Sequence, residues 1–412
     1  MKTSRLLYIF QAALEYLISL AVTSSFLAKI TSELGMSDSL IGIVSAITSL
    51  GGMFQILSML LRHTRAKKFV VTLSVLNQLL FIFLYFIPRL ALGQKMSTVL
   101  FVATILSAYL LYNIAGPAKN SWLMGLVPDN RRGVFTAYKE MFSLLMGMAF
   151  SFGMGALFDW LEGMGKLQTA FGVMSAVMVV CMLLATLCLV FIQEQPTQMV
   201  RRKPFFQTLR QVLGNRKLAA VAVLYIIYFV LCNASTPFYG TYQLNELGFS
   251  LTLISGLGIV SSLARMLVST YWGRYADRYS FNKMVQRCLL LLGASHLCAA
   301  LATPANGVVM FGLYYVLHGV AMGGVNSAMF NLVFDYAPQE MRADALAICQ
   351  TVAGATGFLA TLLFSAVVSA IQQNGNQVLG VTVYAQQLLS LVSVLCALGA
   401  IGFIQVFLRK KA

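Results

Sequence analysis

Apolar runs of about 20 residues recur from one end of this chain to the other. A helix of that length crosses the roughly 30 Å hydrocarbon core of a bilayer. Only helices and closed barrels satisfy their backbone polar groups in lipid, and these runs are continuous rather than alternating, which favours helices. Charged residues make up 10% of the 412 residues, whereas soluble domains have about 25%. The sequence therefore predicts an all-α polytopic membrane protein.

The runs predict twelve transmembrane helices, so both termini lie on one side of the membrane. The predicted spans are 6–28, 39–61, 69–92, 97–118, 134–158, 168–192, 218–244, 250–272, 284–303, 307–333, 344–371 and 379–408. Nearly all Lys and Arg residues outside the spans fall on the side of the termini, including Lys119 directly after the fourth span. Basic residues are enriched in cytoplasmic loops. We therefore expect a multi-pass protein of the cell (inner) membrane with both termini in the cytoplasm.

The longest polar connection divides the chain into two sets of six spans. It covers residues 193–217 and holds two prolines and six basic residues. We predict an N-terminal six-helix bundle over 1–192, a cytoplasmic linker over 193–217 and a C-terminal six-helix bundle over 218–412. A short amphipathic helix on the inner leaflet fits the composition of the linker.

The two halves resemble each other locally. The segment SELGMSDSLIGIVSAI (32–47) parallels NELGFSLTLISGLGIVSSL (245–263), and VPDNRRG (127–133) parallels APQEMRA (337–343). These matches join corresponding connections of the two halves and keep a proline and an arginine in register. A repeat of six helices predicts two pseudo-symmetric bundles.

A charged stretch between the eighth and ninth spans, WGRYADRYSFNK (272–283), stands out in so apolar a chain. Its Gly273, Arg274, Asp277, Arg278 and Lys283 resemble a loop signature of the major facilitator superfamily of secondary transporters. The twelve spans, the linker and the paired loops at 127–133 and 337–343 also fit that superfamily, so the resemblance covers essentially the whole chain. It implies alternating access between two bundles, and a latch on the inner side that holds them together. The latch would consist of Gly273, Arg274, Asp277, Arg278, Pro128, Arg132, Pro338 and Arg342. The alternative is that these charges only fix the topology.

Four ionisable residues lie inside predicted spans, where burial in hydrocarbon is costly. Glu15, Lys139, Glu140 and Arg265 all lie roughly 10–13 Å from a span end, at 1.5 Å per residue. The resemblance places spans 1, 5 and 8 around a central cavity. Glu15 would then find a cation, and Lys139 and Arg265 are the cations expected nearby. Three interpretations remain open: a proton site at Glu15 or Glu140, an anionic-substrate site at Arg265 or Lys139, and a permanent structural ion pair.

Uncharged polar residues of the spans are further candidates for substrate or proton coupling. They are Gln11, Tyr16, Asn113, Asn233, His318 and Gln350. Such side chains also form hydrogen bonds between helices without touching a substrate. His318 titrates near neutral pH when unperturbed and is a second candidate for the proton.

The motif content excludes several functions. The sequence has no phosphate-binding loop and no HExxH or His/Cys metal cluster. We expect no enzymatic activity, cofactor, metal or nucleic-acid partner. The predicted function is secondary active transport of a small organic solute, anionic or amphiphilic, coupled to protons, by a monomer in the lipid bilayer. The alternatives are a membrane-embedded enzyme or a non-transporting receptor for a lipid-like ligand.

Overall fold

The computed structural model is helical apart from one short hairpin, so the all-α prediction is confirmed. It describes residues 2–47, 51, 66–90, 92–124, 126–127, 132–193, 205–337, 342–378 and 381–408. The helices are α1 (Lys2–Ala21), α2 (Ser24–Glu33), α3 (Asp38–Ile47), α4 (Ala66–Leu84), α5 (Gln94–Met124), α6 (Arg132–Gly163), α7 (Leu167–Phe191), α8 (Phe205–Gly214), α9 (Arg216–Ser235), α10 (Tyr239–Thr241), α11 (Leu251–Arg278), α12 (Phe281–Ala300), α13 (Gly307–Tyr336), α14 (Arg342–Gln373) and α15 (Ala385–Phe407). The hairpin pairs β1 (Gln377–Val378) with β2 (Val381–Thr382).

The described helices are consistent with twelve spans. Within the described ranges, nine helices are long and apolar enough to cross a membrane. Helices α1 and α2 meet at a 41° bend, and they make a tenth if the bent pair is counted as one span. Helix α3 begins the predicted second span, and α12 coincides with the predicted ninth. The short α8 lies in the predicted linker, with Val212 buried and Arg210 exposed, as expected for an amphipathic helix.

Contacts divide the chain into two compact units. The first comprises residues 1–37, 54–200 and 249–255, and the second comprises residues 38–53, 201–248 and 256–412. Helix α3 is thus grouped with the second unit, and the first turn of α11 with the first unit. Each unit is described by itself below.

The core of the first unit is an aromatic cluster between its helices. The Phe171 ring centroid lies 5.7 Å from that of Phe158 and 6.1 Å from that of Tyr85. The Tyr85 hydroxyl donates a 2.6 Å hydrogen bond to the carbonyl oxygen of Ala21, the last residue of α1. These buried contacts join α1, α6 and α7 with the turn that follows α4, and so fix the helix that carries Glu15.

The second unit contains a buried hydrogen-bond network between helices. His296 of α12 is 1% exposed, and its Nδ1 lies 2.9 Å from the Tyr239 hydroxyl and 3.2 Å from the Ser235 hydroxyl. Ser390 lies 2.7 Å from the Tyr239 hydroxyl, and Ser393 lies 3.0 Å from the Ser235 hydroxyl. The network fastens α9, α10, α12 and α15 together, because buried polar groups require partners.

Helix α3 packs within the second unit through its first turn. The Asp38 carboxylate accepts hydrogen bonds from Asn245 (3.1 Å) and Gln372 (2.9 Å). Ser39 and Ser365 share a 2.5 Å hydrogen bond. These polar contacts explain why α3 is grouped with residues more than 200 positions away in the sequence.

A carboxylate of α6 caps the N-terminus of α11. Asp159 accepts hydrogen bonds from the amides of Leu251 (3.0 Å) and Thr252 (2.8 Å), and also from the Thr252 hydroxyl. The first amides of a helix lack partners within it, so this carboxylate satisfies two of them. Gly155 lies one turn earlier in α6, where an added Cβ would lie 3.1 Å from the Leu251 carbonyl oxygen.

Replacement of Asp159 with alanine is expected to lower the free energy of unfolding by roughly 2 kcal/mol, because the cap is lost and the two amides stay unsatisfied. Asp159→Asn keeps one acceptor and should lose less. The measurement is unfolding of the purified protein by SDS titration. Equal stability of the alanine variant and the wild type would contradict this assignment of the cap.

Candidate functional site

One face of α1 carries a row of polar side chains. Tyr8, Gln11 and Glu15 stand three and four residues apart and therefore share a face of the helix. Tyr8 and Gln11 are buried, and the Glu15 side chain is 19% exposed. This face meets α4, α5 and α6 of the same unit, and it forms the centre of the candidate site.

The Glu15 carboxylate forms an ion pair with Lys119 of α5. The Lys119 side chain is only 13% exposed. The side-chain amide of Gln78, on α4, donates a 3.4 Å hydrogen bond to the other carboxylate oxygen. Three helices thus contribute one charged or polar group each to a mostly buried cluster.

The sequence interpretation placed Lys119 in an inner connection and so did not count it among the cations available to Glu15, whereas the structure pairs Lys119 with Glu15 and lets the charge of Lys139 interact with that of Glu15 as well. The apolar run ends near residue 118, but α5 continues without a break to Met124. Lys119 therefore lies within α5, and its ammonium reaches the Glu15 carboxylate. The polar residues 119–121 (KNS), shortly after Pro117, are typical of a loop. The apolar Trp122 and Leu123 that follow them are the signal in the sequence that could have indicated a longer helix.

The same cluster holds amide groups without partners. Among the described residues, both side-chain polar atoms of Gln11 and the Oε1 atom of Gln78 are buried and make no hydrogen bond. Gln11 is fully buried and lies one helical turn before Glu15. A buried, unsatisfied polar group costs about 1–3 kcal/mol, so native structures keep few of them. Because these Gln11 and Gln78 atoms lie beside an ion pair, they indicate a position where water or a polar ligand forms the missing hydrogen bonds.

Lys139 and Glu140 of α6 lie beside this cluster. The Lys139 ammonium lies 5.3 Å from the centre of the Tyr8 ring, and its charge interacts with those of Glu15, Lys119 and Glu140. Lys139 is half-buried and Glu140 is exposed. Two lysines and two glutamates therefore lie within electrostatic reach of one another in the first unit.

Two other sequence candidates of this unit have different surroundings. Tyr16 is half-buried and its ring lies against Gly147 of α6, where an added Cβ would be 2.5 Å from the ring. Asn113 is buried and donates a 2.8 Å hydrogen bond to the carbonyl oxygen of Tyr109 in its own helix. Tyr16 therefore packs between α1 and α6, and the Asn113 amide is engaged within α5.

The remaining candidates belong to the second unit. Arg265 of α11 and His318 of α13 are both half-buried, and their charges interact. The His318 ring stacks on Tyr314, with 5.2 Å between centroids. Asn233 donates a 2.9 Å hydrogen bond to the Phe229 carbonyl of its own helix, whereas Gln350 is exposed. The predicted meeting of Arg265 with Glu15 and Lys139 stays a prediction.

The predicted latch is described only in part. Pro128 and Pro338 lie outside the described residues; the backbones of Arg132, Asp277 and Arg342 are helical, but their side chains are not described. Arg274 and Arg278 are exposed, and an added Cβ at Gly273 would meet no atom within 4 Å. The latch itself stays a prediction.

The described residues contain no group of three or more His, Cys, Asp or Glu side chains placed to hold a metal ion.

Comparison with known proteins identifies the family. The family model of the Major Facilitator Superfamily matches residues 8–361. The chain belongs to this superfamily. It is therefore a secondary transporter and not an enzyme, and it acts in a membrane on a small-molecule substrate. No curated protein matches the chain significantly.

Solved structures of other transporters share the superfamily fold. A mutant of the nucleoside transporter NupG is 14% identical, with 98% of this chain and 100% of that chain covered and a TM-score of 0.75. The D-xylose-proton symporter is 15% identical, with 96% of each chain covered and a TM-score of 0.72. A bacterial homolog of the human lysosomal transporter Spinster, inward-facing and unoccupied, is 14% identical, with 100% and 98% covered and a TM-score of 0.69. At these identities the likeness concerns the fold alone.

Proposed function

We propose that this major facilitator superfamily member transports a small organic anion together with a proton, by alternating access. Glu15 binds the proton, and Lys119 holds either Glu15 or the anionic group of the solute. Gln11 and Gln78 supply hydrogen bonds to the solute or to the water that accompanies it. The anionic class is favoured over a neutral amphiphile because the cluster of Lys119, Lys139, Glu15 and Glu140 carries a net positive charge once Glu15 is protonated.

The observation that carries the proposal is the buried Gln11 amide, unsatisfied at both polar atoms, one turn from the Glu15–Lys119 ion pair. A permanent structural ion pair needs well-matched hydrogen bonds around it to offset its desolvation. Here both polar atoms of the Gln11 amide and the Gln78 Oε1 atom lack such partners. This supports a site whose polar atoms are completed during the transport cycle.

The electrostatics link the proton to the anion. While Glu15 is ionised, it neutralises Lys119 and competes with any anion for the ammonium group. Protonation of Glu15 removes that competition and leaves a net charge of +1 on Lys119, Lys139 and Glu140 together. In a low-dielectric environment, unit charges a few ångströms apart interact by several kcal/mol. Proton binding and anion binding therefore favour each other, which is the requirement for symport.

The test uses proteoliposomes of the purified chain, loaded with a pH-sensitive dye. Small carboxylates, phosphate esters and neutral amphiphiles are added outside one at a time. We expect at least one anionic solute to acidify the lumen, because its inward gradient draws protons with it. Glu15→Gln should abolish this acidification but retain exchange of the labelled solute, because Lys119 stays available to the anion.

Glu33→Gln is the matched control, since it makes the same chemical change at an exposed position of α2. It should acidify the lumen like the wild type. Wild-type acidification by Glu15→Gln would exclude Glu15 as the proton site, and flux of neutral solutes alone would exclude the anionic class. Solute binding without any flux would favour a non-transporting receptor.

A further inference from the structure

Helix α11 ends in a row of tyrosines. Tyr271, Tyr275 and Tyr279 stand four residues apart on one face, with ring centroids 6.2 Å and 4.7 Å apart. Tyr271 is 59% exposed and Tyr279 is 48% exposed. Hydrophobic packing within the protein therefore does not account for the outer two rings of this row.

Two cations from adjacent helices meet on the last ring. The Arg278 guanidinium of α11 and the Lys283 ammonium of α12 each lie 5.5 Å from the centre of the Tyr279 ring. Both side chains are exposed. Contact with an aromatic face stabilises a cation and restricts its position. We call Tyr271, Tyr275, Tyr279, Arg278 and Lys283 the tyrosine–cation surface.

The position of this surface matches the edge of a bilayer. The apolar window of α11 ends at Ser269, two residues before Tyr271, and α12 turns back toward the membrane from Phe281. Tyrosine is enriched where hydrocarbon meets the headgroup layer, and the charged ends of Arg and Lys reach into that layer. The basic residues of the chain predict that this is the cytoplasmic side.

We propose that the tyrosine–cation surface binds the headgroup of an anionic phospholipid. The charge of the segment favours such an occupant, since residues 270–287 hold four basic residues and one acidic residue. An arginine fork matches the geometry of a phosphate, and the nearby N-terminus of α12 adds amides that favour an anion. The exposed ring of Tyr271 packs along the glycerol and upper acyl chain, deeper than the phosphate, and the half-buried Tyr275 ring lies between it and Tyr279.

The test is native mass spectrometry of the full chain in detergent, with phosphatidylglycerol and phosphatidylcholine of identical acyl chains. We expect the wild type to retain phosphatidylglycerol preferentially. A basic side chain near an anionic headgroup contributes about fivefold in affinity, so Arg278→Gln with Lys283→Gln should weaken phosphatidylglycerol binding roughly 20-fold. Binding of phosphatidylcholine should not change.

Matched variants distinguish lipid binding at this surface from a general attraction of anionic lipid to the positive charge of the protein. Arg210→Gln with Arg216→Gln removes the same charge from exposed positions elsewhere and should leave the preference intact. Tyr279→Phe keeps the aromatic face and should bind like the wild type, whereas Tyr279→Ala should bind several-fold more weakly. Equal loss in the two double variants would overturn the proposal. Binding of soluble glycerol phosphate as tight as that of the lipid would also overturn it, in favour of a free-phosphate site.

Discussion

Replacement of Lys119 with alanine is expected to lower the free energy of unfolding by roughly 2–4 kcal/mol and to abolish solute exchange. The change leaves the mostly buried Glu15 carboxylate without its cation, and breaking a buried pair is strongly destabilising. It also removes the group to which we assign the solute anion. SDS titration measures the first effect, and exchange of labelled solute in proteoliposomes measures the second.

The chain offers a matched control for this prediction. Lys29 and Glu162 form another ion pair of the first unit, but there the glutamate side chain is 43% exposed. Exposed pairs contribute about 0–1 kcal/mol, so Lys29→Ala should have a small effect and leave exchange unchanged. If Lys119→Ala destabilised the protein no more than Lys29→Ala, the Glu15–Lys119 pair would not be the buried, energetically coupled pair described above.

A double variant separates stability from transport. Glu15→Gln with Lys119→Gln removes both charges and should recover part of the stability lost in Lys119→Ala, because no unpaired charge is left buried. It should not recover proton-coupled transport. Full transport by this neutral pair would show that the ion pair is structural, which is one of the three interpretations that the residue pattern leaves open.

Replacement of Gly319 with alanine is expected to lower the free energy of unfolding by about 3 kcal/mol or more. An added Cβ at this position of α13 would lie 2.3 Å from the carbonyl oxygen of Ser261 in α11. A backbone atom cannot move aside as a flexible side chain does, so the two helices must separate. The separation would also displace His318, the residue before Gly319. We expect SDS titration to show the loss of stability and the exchange of labelled solute to be reduced.

Gly312 provides the control in the same helix. An added Cβ there would meet no atom within 4 Å, and alanine is the better helix former by about 0.5–1 kcal/mol. Gly312→Ala should therefore be neutral or slightly stabilising. Similar stability of the two variants would contradict the close approach of α11 and α13 at Gly319.

The sequence contains a signal for the close approach of α11 and α13, in the spacing of two glycines rather than in the length of an apolar run. Gly319 and Gly323 stand four residues apart, the spacing of small residues where transmembrane helices pack closely. At Gly323 an added Cβ would lie 2.9 Å from the carbonyl oxygen of Arg265. The spacing alone does not name the partner helix, because many small residues in membrane helices face lipid.

In the candidate site, too, the sequence identifies residues that are unusual within their own helix but does not identify their partners from distant segments. The sequence singled out Gln11 and Glu15 as polar groups inside an apolar run, since such groups are rare and costly there, and the structure places both in α1. It did not predict Lys119, because the end of an apolar window does not mark the end of a helix. It gave no indication of Gln78 or of the Asp159 cap, whose partners lie 63 and 92 residues away.

The sequence by itself determined the class of this protein, its all-α architecture and its family. Each of these depends on local quantities: the length of an apolar run against the thickness of a bilayer, and residues at fixed spacing in a loop. The tertiary structure decided which charges pair, which amides are left without partners and where helices touch. These properties depend on the rotation and the true end of each helix, which are set by side-chain packing among distant segments of the chain.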